Sequence, residues 1–148
     1  MPVRLATDPP AAPARAPGTA EADGSSTSTG LVGHRILLAE DEMMVALDIE
    51  MALEDAGAEV MGPVDDLEAG LRLVRGNVEI DAAVLDIDLH GADVFPIAEA
   101  LHARGVPFLF HTGHGSREDL KRRFDGVPVC IKPVLAEDMV RAVADLLG

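Results

Sequence analysis

The sequence predicts an α/β fold in which a five-stranded parallel sheet is covered by helices on both faces. Three observations lead there. Short apolar runs without polar alternation, residues 36–39 and 82–85 among them, read as strands buried on both sides. Between such runs lie stretches whose apolar residues recur at helical spacing, so strand and helix alternate along the chain. A carboxylate, Asp86, then stands where the central run should end, and open α/β sheets place their chemistry at the carboxyl ends of their strands.

Taken in order, residues 1–33 are rich in Pro, Ala, Gly, Ser and Thr. Such a segment buries too little to offset its ordering entropy, so a disordered extension is expected, with the folded domain over residues 34–148. Residues 34–39 form the first strand, and Glu40-Asp41-Glu42 follows at once. Val45, Ile49, Ala52 or Leu53, and Ala56 make the stripe of the first helix, which Gly57 stops. Residues 58–61 give a short second strand ended by Gly62-Pro63. Asp65 or Asp66 caps a second helix carrying Leu67, Leu71 and Val74.

The third strand spans residues 81–85. A helix over residues 91–105 presents Val94, Ile97, Ala98 and Leu101, and tolerates Pro96 because it lies in the first turn. Residues 106–110 form the fourth strand, Ser116 caps a short charged helix to about Phe124, and residues 127–131 form the fifth strand. The last helix, residues 135–147, lines up Leu135, Met139, Val143 and Leu146. With linkers this short and right-handed crossovers, the economical topology is a doubly wound, flavodoxin-like three-layer sandwich of strand order 2-1-3-4-5.

Composition narrows the function. The chain has 148 residues, 48% of them hydrophobic, enough for one domain of ordinary size plus a tail. A formal net charge of −14 repels phosphates and anionic headgroups, which argues against nucleic acid and against a membrane surface as partners. No apolar segment approaches a membrane span, and the N-terminus lacks the apolar stretch of a secretory signal, so the cytoplasm is the expected compartment. The single cysteine, Cys130, excludes a disulfide framework and reads as a buried structural thiol.

In a parallel sheet every strand C-terminus lies on one edge. That rule gathers Glu40 and Asp41 after strand one, Asp86 after three, Thr112 after four and Lys132 after five. Three carboxylates so close repel one another and would raise each other's pKa. A hard divalent cation compensates them, and Mg²⁺ suits a site of carboxylates and waters. Lys132 adds a point charge. A carboxylate beside Mg²⁺, a lysine and a hydroxyl is equipped to receive a phosphoryl group, with Asp86 as nucleophile, Mg²⁺ and Lys132 offsetting charge on the phosphoryl oxygens, and Thr112 donating to the product. Singly, Glu40 or Asp41 reads as a helix cap and Asp86 as a turn former; their joint placement favours the phosphoryl site.

These residues carry a family resemblance. Ile36-Leu-Leu-Ala-Glu40-Asp41-Glu42, Val84-Leu-Asp86-Ile-Asp88-Leu-His-Gly91, Thr112-Gly113 and Lys132-Pro133 resemble the four signatures of response regulator receiver domains in two-component systems. The resemblance covers residues 34–148. It implies a phosphoacceptor signalling domain in a phosphorelay rather than an enzyme with turnover, with Asp86 phosphorylated by a sensor histidine kinase or histidine phosphotransferase. It further implies Mg²⁺ bound by Asp41, Asp86 and the backbone carbonyl of Asp88, with Glu40 assisting through water, Thr112 as the switch hydroxyl and Lys132 as the partner of the phosphate.

Receivers commonly carry an aromatic residue three positions before the lysine, and here that position is Val129, so an aromatic flip is not the readout. Phe110-His-Thr-Gly-His-Gly115 is similar to the "FAT GUY" subgroup, with His111 in place of its alanine. Nothing follows the fifth helix, so a stand-alone receiver is expected, whose output is a phosphorylation-dependent contact with a downstream protein. Second apolar rows, Met44, Leu47 and Met51 on helix one and Val140, Ala144 and Leu147 on helix five, mark a candidate docking or homodimer surface, the alternative being ordinary core. His111, His114 and His90 read as polar rim residues rather than zinc ligands. Two rival functions are a phosphatase of the haloacid-dehalogenase type, suggested by Asp86-Ile-Asp88 but opposed by an acidic pair that precedes it, and a receiver-like scaffold that is never phosphorylated.

Overall fold

A computed structural model describes residues 30–113 and 117–148, and of residues 117–119 the backbone alone. Its main sheet holds β1 (Arg35–Ala39), β2 (Glu59–Val64), β3 (Ala82–Asp86), β4 (Phe108–Thr112) and β5 (Val129–Ile131). The strands pair in the order β2-β1-β3-β4-β5, all parallel, as the alternation of elements predicts. Central position follows composition. In β3 and β4 every residue is buried, whereas the edge strands β2 and β5 alternate or expose theirs.

The helices are α1 (Met43–Asp55), α2 (Leu67–Arg75), α3 (Phe95–Ala103), α4 (Arg117–Arg123) and α5 (Ala136–Leu147). Because side chains alternate along a strand, Ile36, Leu38, Ala82, Val84 and Leu109 face one side and meet Ile49 and Leu53 of α1 and Met139 and Val143 of α5. Leu37, Ala39, Ala83, Leu85, Phe108 and Phe110 face the other side, under α2, α3 and α4. This arrangement leaves α1 and α5 as neighbours on one sheet face.

Several boundaries differ from expectation, each for a physical reason. β4 begins at Phe108 and runs on through two polar residues, because His111 pairs with Asp86 of β3 and Thr112 with Ile131 of β5. β2 passes through Gly62-Pro63 to Val64; Gly62 takes φ +105°, and a Cβ there would lie 2.7 Å from the Leu38 carbonyl oxygen. The helix expected from residue 91 starts only at Phe95, since Asp88–Leu89 and Ala92–Asp93 first form a small antiparallel ladder. Asp66 is the cap of α2, its side chain accepting from the Ala69 N–H at 2.8 Å. Leu135, expected on the buried face of the last helix, is its exposed N-cap. Cys130 is half-buried rather than buried.

Ordered packing begins ahead of His34. Leu31 is fully buried between the elements of the α1/α5 face, and its N–H donates to the Ala56 carbonyl at 3.2 Å. The disordered extension expected for residues 1–33 falls, for residues 1–29, outside the described residues, as do His114 and the cap expected at Ser116. Among the described residues no helix is long and apolar enough to cross a membrane.

Candidate functional site

The carboxyl edge of the sheet collects the residues singled out above. Glu40 follows β1, Asp86 ends β3, Thr112 ends β4, and Lys132 follows β5. Backbone bonds hold their supports in place: the Glu40 N–H donates to the Val64 carbonyl at 2.9 Å, and the Lys132 N–H to the Thr112 carbonyl at 2.8 Å. The Lys132 Nζ then lies 3.0 Å from Asp86 Oδ2 and 3.3 Å from Glu40 Oε2. Glu40, Asp86 and Thr112 are buried, while Asp41 is half-buried.

Glu40, Asp41 and Asp86 each offer one carboxylate oxygen, all within 4.8 Å of one another. Three hard oxygen donors at that spacing could hold a small divalent cation, whose charge would add to that of Lys132 in relieving their repulsion. The third acid is held from a distance in sequence: Asp41 Oδ2 accepts the His90 N–H at 2.9 Å. His90 sits in the left-handed region at φ 52°, in the turn that the Asp88–Gly91 bond closes at 2.8 Å. Asp88 thus uses its side chain in that turn, and its N–H donates to Asp86 Oδ1 at 3.3 Å. Neither Glu40 nor Asp41 caps α1; the N-cap residue is Glu42, without a side-chain cap bond.

The two buried acids are driven in opposite directions. Burial pushes the Asp86 carboxyl up to about 6, and the neighbouring Glu40 carboxylate adds to it against the pull of Lys132. Burial also works against ionised Glu40, but the facing His111 ring, the Asp86 carboxyl, the Glu42 N–H and the Lys132 charge outweigh it and hold Glu40 at about 2. Burial likewise opposes the Lys132 ammonium, yet its bonds to Glu42 and Asp86 keep its pKa above the usual lysine value. The edge therefore carries an ionised Glu40, the Lys132 ammonium, and an Asp86 carboxyl raised to about 6.

Sequence reasoning missed two members. Glu42 Oε1 lies 2.8 Å from Lys132 Nζ, closer than either buried acid; a third consecutive acid after strand one was the available signal. His111, expected at the polar rim, is only 3% exposed and faces Glu40 Oε1 at 3.6 Å. His90 does lie at the rim, between Asp41 and Asp65.

No family model matches the chain. Among solved structures, SdrG from Sphingomonas melonis Fr1 is 40% identical, with 80% of this chain and 98% of that one covered and a TM-score of 0.65. SdrG from Pseudomonas melonis Fr1 in its BeF3-activated conformation is also 40% identical, over 77% and 96% of the two chains, with a TM-score of 0.62. A response regulator receiver protein from Sinorhizobium medicae WSM419 is 27% identical over 77% of this chain and 94% of that one, with a TM-score of 0.71. The curated relative "Transcriptional regulatory protein PdtaR" of Mycobacterium tuberculosis is 24% identical over 115 residues. That match takes in 76% of this chain, which spans about half of the relative's length, 56%.

A five-stranded parallel sheet whose carboxyl edge joins three acids to a lysine is the architecture of a phosphoacceptor signalling module. The chain belongs to the response regulator receiver domains of two-component signalling.

Proposed function

We propose that Asp86 accepts a phosphoryl group from a phosphohistidine of a sensor histidine kinase or histidine phosphotransferase. An Asp86 carboxylate oxygen attacks phosphorus, the new O–P bond forms as the P–N bond breaks, and the departing imidazole keeps the electron pair and takes up a proton. The Lys132 ammonium, already 3.0 Å from Asp86 Oδ2, pairs with the phosphoryl oxygens and offsets their charge, and the Thr112 hydroxyl donates to one of them. Asp41, Asp86 and the Asp88 backbone carbonyl, with Glu40 assisting through water, would hold a Mg²⁺ that would further neutralise phosphoryl charge. The acyl phosphate is lost again by the domain's own slow hydrolysis, so the module times a signal and turns over no metabolite.

The observation that carries this reading is the convergence of Lys132 Nζ on Asp86 and Glu40, at 3.0 and 3.3 Å, beside three acids whose oxygens lie within 4.8 Å. The BeF3-activated form of the relative SdrG supports it, because beryllofluoride mimics a phosphoryl group on a carboxylate. Output is a phosphorylation-dependent contact with a downstream protein in the cytoplasm, the compartment of its phosphodonor. Met43, Met44, Leu47 and Met51 of α1 are exposed, the Met-rich kind of surface on which a kinase or a second copy docks. Of the row expected on α5, Val140, Ala144 and Leu147 are half-buried against the core and add only their edges.

The test is a small-molecule phosphodonor, acetyl phosphate with Mg²⁺, followed by intact mass. Wild type is expected to gain one phosphoryl group and Asp86→Asn none. A label that persists in Asp86→Asn, or a wild type that takes none, overturns the proposal and favours the unphosphorylated scaffold.

A further inference from the structure

Glu40 uses one of its two oxygens in the site described above. Oε2 receives Lys132 Nζ at 3.3 Å and the Glu42 N–H at 3.1 Å. Oε1 is buried and, among the described residues, has no hydrogen-bond partner. What faces it is the Nδ1 of His111, 3.6 Å away, on a ring that is 3% exposed and whose two nitrogens, among the described residues, also have no hydrogen-bond partner. Two buried groups of complementary chemistry thus confront each other a few tenths of an ångström beyond hydrogen-bond reach.

The topology explains how they meet. His111 lies on β4 directly beside Asp86 of β3 in the register, and Glu40 directly follows β1 on the far side of β3. The imidazole therefore passes alongside the phosphoacceptor to reach the acid. An alanine at this position, as in the subgroup this segment is similar to, offers no such donor. We propose that His111 is a positioning residue: its Nδ1–H donates to Glu40 Oε1, fixes the plane of that carboxylate, and leaves Oε2 aimed at Lys132 and at a bound divalent cation. This inference rests on the proposed cation site, where Asp41, Asp86 and the Asp88 carbonyl are the ligands and Glu40 acts through water, and where such outer groups need partners that fix their orientation.

The experiment uses the full chain and Mg²⁺ alone, without phosphodonor. Mg²⁺ affinity is measured by calorimetry for wild type, His111→Ala and His111→Asn, the amide nitrogen of the asparagine falling near the position of Nδ1. Loss of an outer partner weakens metal affinity about 10- to 100-fold, so His111→Ala is expected at the lower end of that range and His111→Asn within a few-fold of wild type. Equal affinity for His111→Ala, or an asparagine as weak as the alanine at matched thermal stability, overturns the inference. A second readout needs no metal: in ¹⁵N spectra of the metal-free protein, His111 is expected to carry its proton on Nδ1. A bare Nδ1 with the proton on Nε2 overturns the hydrogen bond. A wild type that binds no Mg²⁺ overturns the cation reading and this inference's second half together, while the ring spectrum still decides its first.

Discussion

The shortest ion pair of Lys132 is with Glu42, at 2.8 Å, and not with Asp86, at 3.0 Å. Glu42 is exposed, so its hold on the lysine is screened by water and contributes under about 1 kcal/mol. It still competes for the ammonium that the incoming phosphoryl group needs. Glu42→Gln removes the competitor and a repelling charge at once. Phosphoryl uptake from acetyl phosphate should rise about two- to five-fold, within what 1 kcal/mol allows. Uptake that is unchanged or slower in single-exponential kinetics would show that Glu42 does not restrain Lys132.

Stability should report the raised Asp86 carboxyl. Its folded pKa of about 6 stands above the ordinary value of 3.8, so folding favours the neutral acid. That contribution is complete below pH 3.8 and is lost as pH rises through about 6. Asp86→Asn keeps the neutral shape at every pH. In EDTA its melting temperature should exceed that of wild type by a margin that widens from about pH 4 to about pH 7 and then levels. Added Mg²⁺ should narrow the margin by stabilising wild type through binding. A margin independent of pH would mean that burial of the Asp86 charge is already compensated by Lys132.

Much of this was legible in the sequence because one rule did the placing. Parallel strands share a carboxyl edge, so knowing where the runs at residues 36–39, 82–85, 106–110 and 127–131 end is enough to bring Glu40, Asp86, Thr112 and Lys132 together. The partners across that edge were not legible. His111 lies on a strand whose apolar run stops at Phe110, and only the β3–β4 register carries the strand past it and inward. Asp41 is steadied by the N–H of His90, 49 residues away, in a turn that apolar periodicity does not describe. Leu31 was passed over because an isolated leucine in a Gly-, Ser- and Thr-rich stretch gives no periodic signal.

Leu31 supplies the third prediction. Its side chain is fully buried against the α1/α5 face, so Leu31→Ala should leave a cavity and lower stability by about 2–5 kcal/mol. A chain beginning at Gly30 should melt with the full-length protein, whereas one beginning at His34 should melt like Leu31→Ala or below it. Identical denaturation midpoints for the chains beginning at Gly30 and His34 would leave the domain boundary at His34.

The exposed row on α1 gives the last. Met44 is 71% exposed and Leu47 45%, so replacing both with glutamate removes little core packing and should change stability by no more than about 0.5 kcal/mol each. Uptake from acetyl phosphate depends only on the sheet edge and should stay within two-fold of wild type. Transfer from a cognate phosphohistidine protein needs a docked partner, and two charges in a desolvated apolar contact should slow it at least tenfold, since burying unpaired charge is costly. If the same variant instead lowers the oligomer mass of the phosphorylated protein while transfer is unaffected, the row is a self-association surface. Should transfer and mass both stay as in wild type, the methionines are ordinary exposed side chains, and docking must be sought elsewhere on the domain.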